Sequence, residues 1–340
     1  MLGRWVTATA LVAVLSAVTG CAAEVPTPGQ SDAPAYDSGW EAPEATAIAP
    51  LRGTTVPSGS LDRPAISAKI DNHWDARPQT GLERSDIVFE ELVEGGITRY
   101  VAVWHSDIPD LIGPVRSIRP MDPDIASPFG GIIFYAGGQP QFVEMMRNTP
   151  VYNAIHGQPD TADYMYRIKE RAAPHNVLAK AKEFADSHGD IAAPPVQFAF
   201  AVDAASSTAA HDGTPTTAIN TTFSTGFHSS WTFDADSGLF VRSQNGDIDR
   251  DSDGKPLTAT NVVVVRVPVS PGPVPKTEMI GSGEAWVSTA GKTVHATWTK
   301  SSATDSIHLR DDRGVTVRLG AGNTWVELVP LDGAADFVSP

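Results

Sequence analysis

Asp86-Ile-Val-Phe-Glu-Glu-Leu-Val-Glu-Gly-Gly-Ile-Thr-Arg-Tyr-Val-Ala-Val-Trp104 sets two apolar runs, residues 87–93 and 97–104, around Gly95-Gly96. Glycine reaches positive φ without a steric penalty, so the pattern predicts a β-hairpin closed by a two-residue turn. A turn that tight pairs residue 94 with 97, 92 with 99 and 90 with 101. Side chains alternate across a strand, so Glu90 and Glu94 would share a face with Arg99, and Glu91 would point the other way with Thr98 and Tyr100. Arg116 and Arg119 follow on the next extended segment. Charge concentrated among strand formers is the main chemical lead, although it names no reaction.

Outward from the hairpin, 340 residues suggest two domains, each long enough to bury a core. A formal charge of −15 and the absence of any Lys/Arg run argue against a phosphate-backbone partner, so no nucleic acid is expected. At the N-terminus, Arg4 precedes a short apolar core at residues 11–18 and then Val18-Thr19-Gly20-Cys21. That core is too short to span a bilayer and reads as a cleaved signal over residues 1–20. Cys21, the single cysteine, sits where a bacterial lipobox places its acylated thiol. Acyl chains at about 0.8 kcal/mol per buried methylene would hold the protein at the outer side of the cell membrane. Without Arg4, 24 basic residues oppose 40 acidic ones, giving −16, so an anionic membrane surface repels the body and the lipid alone must retain it. One cysteine leaves no internal disulfide.

Residues 21–57, rich in Pro, Ala, Thr, Ser and Gly, read as the lipidated cysteine and a disordered tether. Residues 58–191 read as a mixed α/β N-terminal domain, with strands at 65–70, the hairpin, 112–118 and 131–135. A short helix is expected at 141–147 with Phe142, Met145 and Met146 buried, and a second at 177–187 capped by Asn176 and ended by Gly189. Residues 192–222 read as a linker around one possible strand at 196–202. Residues 223–332 read as a β-rich, sandwich or barrel-like C-terminal domain, followed by a tail at 333–340. The fold class expected is therefore α+β.

Several segments resemble the YerB-like bacterial lipoproteins. They are Ala76-Arg-Pro-Gln-Thr-Gly-Leu82, Ser85-Asp-Ile-Val-Phe-Glu90, Val93-Glu-Gly-Gly-Ile-Thr-Arg99, Ile112-Gly-Pro-Val-Arg-Ser-Ile-Arg-Pro120 and Ala173-Pro-His-Asn176. Further along come Gly238-Leu-Phe-Val-Arg242, Asn261-Val-Val-Val264, Gly281-Ser-Gly-Glu-Ala285 and Thr324-Trp-Val-Glu-Leu-Val-Pro330. The resemblance implies a two-domain surface lipoprotein and carries no catalytic residues with it. Residues 247–253 are more acidic than its pattern. Arg84-Ser-Asp86, a strand pair and then Ser117-Ile-Arg119 also resemble the spacing in LytR-CpsA-Psr phosphotransferases, which hold polyprenyl pyrophosphate through arginines. Pro120 departs from that pattern, standing where those proteins carry an aspartate.

The candidate ligand pocket is Glu90, Glu94, Arg99, Arg116, Arg119 and His175, in which arginines would clamp a phosphate or carboxylate and a glutamate would serve as base. The bland alternative is an ion-pair network closing one face of a sheet. His73, His105, His156 and His175 lack metal-ligand spacing, so a zinc site would have to be assembled in three dimensions. Gly137-Gly138 before the helix at 141 offers a possible anion cradle. Asp249, Asp251 and Asp253 match the first ligand positions of a calcium loop, but Thr260 stands where its glutamate belongs. No cofactor beyond that calcium is expected, and no Gly-x-Ser-x-Gly motif supports nucleophilic catalysis. The sequence favours an extracytoplasmic, lipid-anchored binding or scaffolding protein. The competing reading is an enzyme on, or a binder of, an anionic or glycan envelope precursor.

Overall fold

The computed structural model describes residues 41–340, of which Glu44–Pro340 form a compact unit. The leader, Cys21 and Trp40 lie outside the described residues. The hairpin pairs Ile87–Leu92 with Thr98–Trp104, but its loop is one residue longer than the glycine pair implied. Val93 N–H donates to the Ile97 carbonyl, and Glu94–Gly96 make a single 3-10 turn with Gly95 and Gly96 at φ 79° and 71°. Glu91 therefore stands opposite Arg99 and Glu90 opposite Tyr100. With a side-chain period of two, this slip exchanges the faces expected for the two glutamates.

The hairpin is the middle of an eleven-stranded sheet. In spatial order it runs Thr214–Pro215, Lys292–Lys300, Gly281–Thr289, Asn261–Val267, Thr324–Pro330, Ile87–Leu92, Thr98–Trp104, Ile66–Asp71, Ile132–Tyr135 and Tyr152–Ile155. His308–Asp311 adds beside Lys292–Lys300. The two halves of the chain meet where Thr324–Pro330 runs parallel to Ile87–Leu92, with Glu327 beside Glu90. Asn261–Val267 is covered on both faces, which accounts for its unbroken valines.

One face of this sheet offers Val88, Tyr100, Val262, Val264 and Trp325 to Ile219, Trp231 and Phe240 of a second, six-stranded sheet. On the other face Phe89, Val101, Val263 and Val326 pack against Met121, Ile125 and Phe129, in and beside the short helix Asp122–Ala126. C-terminal strands thus divide between two sheets packed face to face.

The molecule is mostly β, so the expected mixed α/β N-terminal half is corrected. Only short helices occur among the described residues: Asp122–Ala126, Pro140–Arg147, Ala181–Asp186 and Thr208–Asp212. The helix expected from 177 begins instead as a strand, Val177–Ala179, and Asn176 caps nothing. Its amide donates to the carbonyls of Ile168 and Arg171 at 2.9 and 3.1 Å, folding the loop back on itself. Residues 112–118 make only isolated bridges. Met146 is buried under the Pro140–Arg147 helix, but Met145 is exposed. The linker and tail contain Ala218–Ser224 and Ala334–Val338, which pair with each other in the second sheet. The tether is shorter than read. Thr46–Ile48 pairs with Thr55–Pro57, Leu51 between them is fully buried, and Arg52 reaches Asp86 at 2.7 Å. Among the described residues no helix is long and apolar enough to cross a membrane.

Candidate functional site

Alternation brings Lys69, Asp71, Glu91 and Arg99 to one face of three adjacent strands. Lys69 Nζ sits against the Glu91 carboxylate and 2.7 Å from Asp122 Oδ1, while Asp122 Oδ2 accepts from the Arg119 amide at 2.6 Å. Arg119 grips Glu94 with two hydrogen bonds, one of them from Nε at 2.7 Å. Arg99 is buried, donates to the Ser117 carbonyl at 2.8 Å and lies 3.9 Å from Glu94. Arg116 Nε stands 3.0 Å from Asp71 Oδ2, which also receives His175 Nδ1 at 2.6 Å. Burial opposes charge on Glu94, but the Arg119 hydrogen bonds outweigh it and hold the carboxyl at about 2. Burial, then repulsion from Arg119 and Arg116, lowers Arg99 to about 10.

Glu90 is absent from this group, because the register shift turns it to the opposite face. There Arg242, fully buried, donates to Glu90 at 2.6 Å and also to Asp249. Its guanidinium carbon is 5.4, 6.0 and 5.2 Å from the ring centroids of Tyr100, Trp231 and Trp325. Arg77 donates to Asp249 and to Gln244, both at 2.6 Å, and Thr98 donates to Glu90 at 2.6 Å. Beside Glu90, Glu327 accepts from Trp231 Nε1 at 2.8 Å. Burial, then the Glu90 charge beside it, push its carboxyl well above the usual carboxylate range. Sequence reasoning missed Arg242 and Glu327. The available signal was a charged residue in phase with inward-facing neighbours, Phe240 and Gln244 in one strand and Trp325 and Val329 in the other.

The acidic loop does not present three carboxylates to one point. Asp249 turns inward to two guanidiniums, Asp251 accepts from the Glu83 amide at 3.3 Å, and exposed Asp253 pairs with Lys255 at 2.7 Å. The histidines fare differently. His105 Nε2 lies 3.1 Å from the Leu61 and Arg63 carbonyls, and His156 stands apart at the end of Tyr152–Ile155. His73 and His175 stack with centroids 4.5 Å apart, and Asp75 joins them. Among the described residues these three form the group whose nitrogen and carboxylate atoms converge within 4.8 Å. Gly137 takes φ 66°, and its carbonyl accepts from the Ile118 amide at 3.1 Å.

Comparisons with known proteins agree with this architecture. Residues 51–191 match the family model described as the N-terminal domain of a protein of unknown function, DUF3048, and residues 219–326 match its C-terminal domain. Those two matches correspond to the two halves joined through the central sheet. The chain is 32% identical over 128 residues to the Bacillus subtilis (strain 168) protein named "Putative lipoprotein YerB". That alignment spans 38% of this chain and 38% of the relative's length. The crystal structure of YerB from Bacillus subtilis superimposes with a TM-score of 0.73 at 21% identity, covering 85% of this chain and 99% of that one, and so shares the fold.

Proposed function

We propose, for a chain that belongs to the DUF3048 family through both its N-terminal and its C-terminal domain, a non-catalytic binding or scaffolding role at the outer side of the cell membrane, held there by lipid on Cys21. One observation carries the non-catalytic part: the charged groups a catalytic pocket would need are engaged with one another. Glu94 is bound to Arg119, Arg116 to Asp71 and Glu90 to Arg242. A general base must be free and have a pKa near the working pH, and a carboxylate held at about 2 is a poor one. The relative's printed name supports the anchor. In its own host with the leader intact, the protein is expected in the membrane fraction, with mass spectrometry finding diacylglycerol on Cys21. Cys21→Ser should release the folded body. An unacylated wild-type chain in the cytosol would end the proposal.

A second reading keeps an anionic envelope precursor as the ligand, because Arg99 and Arg119 both donate to the Ser117 carbonyl and Arg99 is repelled by both Arg119 and Arg116. On that reading Arg116→Ala, which removes a guanidinium whose side chain is 19% exposed, weakens retention of phosphorylated precursors from a lipid extract passed over the protein. A folded variant that retains them as wild type does would remove it.

A further inference from the structure

We propose that His73, Asp75 and His175 form a binding site for a divalent transition metal, with zinc the ion best suited to it. The site joins a surface turn to a loop 100 residues further along, and its ligand atoms already converge within 4.8 Å. Tetrahedral zinc with nitrogen ligands at about 2.0–2.1 Å places neighbouring donor atoms about 3.3–3.5 Å apart. The group therefore has to close by little more than an ångström. The turn Trp74–Ala76 that carries Asp75 is three residues long and the Asp75 side chain is 68% exposed, so it can swing. The His73 side chain is 23% exposed and its Nδ1 accepts from the Asp75 amide at 3.2 Å, a bond the metal would replace. Asp75 Oδ2 is already 3.5 Å from His73 Nδ1.

Asp71 supplies the second, independent observation. It is buried, lies on the central sheet, and its Oδ2 is 2.6 Å from His175 Nδ1. A carboxylate at that distance fixes the proton on Nδ1 and leaves the lone pair on Nε2, the tautomer a metal requires. Arg116 Nε lies 3.0 Å from the same Asp71 oxygen, and Asp71 Oδ1 accepts from the His73 amide at 3.2 Å, so the carboxylate is kept in place as an orienting group and not a ligand. Two imidazoles and one carboxylate suit zinc, or cobalt as its probe, over calcium or magnesium, which prefer all-oxygen sites. Three protein ligands also leave one coordination position open on the solvent side. Trp74, 58% exposed and 4.6 Å from His73 between ring centroids, sits where its fluorescence reports an arriving ion.

The test uses the full chain carrying Cys21→Ser, so that its single thiol does not compete for metal. Titration with zinc chloride should show one ion per chain, and cobalt(II) should give the intense visible bands of tetrahedral coordination and quench Trp74. His73→Ala, Asp75→Ala and His175→Ala should each abolish saturable binding while leaving far-ultraviolet circular dichroism unchanged. His73 and Asp75 are exposed enough that their loss leaves the core intact. Asp71→Asn should weaken zinc binding by about 10–100-fold, the usual effect of losing the group that orients a ligand. The proposal is overturned if wild type takes up no zinc at micromolar concentrations. It is equally overturned if folded His73→Ala and Asp75→Ala bind zinc as wild type does, or if cobalt shows only weak octahedral bands.

Discussion

Arg242→Met should cost about 3–5 kcal/mol of stability, read as a lowered urea midpoint, because it strands two buried carboxylates. Arg242 is fully buried and neutralises Glu90 from one half of the chain and Asp249 from the other. Methionine fills the volume but leaves Glu90 and Asp249 facing each other, with Arg77 as the remaining cation on Asp249. Three aromatic faces within 6.0 Å lose their cation as well. Glu327→Gln provides the control. Burial and the neighbouring Glu90 charge favour the neutral Glu327 carboxyl, so an amide of the same shape can donate to Glu90 and accept from Trp231 Nε1, and the change should stay within about 1 kcal/mol. Equal losses in the two variants would show that Glu327 carries charge and that the network is arranged differently. An unchanged midpoint for Arg242→Met would show that the seam owes its stability to apolar packing alone.

How much of this was legible in the sequence depends on whether the signal is local. The strand at Asn261–Val267 is legible from its four consecutive valines, because a strand covered on both faces needs an apolar run without alternation. The hairpin was read too, but glycine pairs license two-residue and three-residue loops alike. Glu94 joined the turn, and one residue of slip sent Glu90 and Glu91 to exchanged faces. Ala218–Ser224 and Ala334–Val338 were hidden among Thr, Asn, Ala and Asp because one face of each is exposed, and their partnership spans 116 residues between Asn220 and Asp336. The same holds for the seam, since a parallel pairing of Thr324–Pro330 with Ile87–Leu92 leaves no trace in either segment alone. In the candidate sites, His73 and His175 were visible as residues but not as neighbours, and Asp75 looked like any surface aspartate. Arg119 and Glu94 were named within one candidate group, but that they bind each other, 25 residues apart, could not be read from either segment alone.

Lys69→Met is the second variant expected to act strongly, and it examines the opposite face of the sheet. Lys69 is fully buried on the third strand from the seam, against Glu91 and Asp122, both also fully buried. Taking charges out of water is costly, and attraction offsets that cost only while every partner is present. Asp122 retains the Arg119 amide at 2.6 Å after the substitution, but Glu91 retains no cation at hydrogen-bond distance among the described residues, so most of the penalty falls there. About 3–5 kcal/mol should be lost, and circular dichroism melting should register it as a lower Tm. The double variant Lys69→Met/Glu91→Leu removes the stranded carboxylate and should regain a large part of that loss, giving a coupling energy well above the scatter for independent sites. If the double variant is instead less stable by the sum of the two single losses, Lys69 and Glu91 do not act as a pair. The short helix that carries Asp122 would then be the group Lys69 serves, tying Asp122–Ala126 to the sheet on the face where Arg99, Arg116 and Arg119 gather.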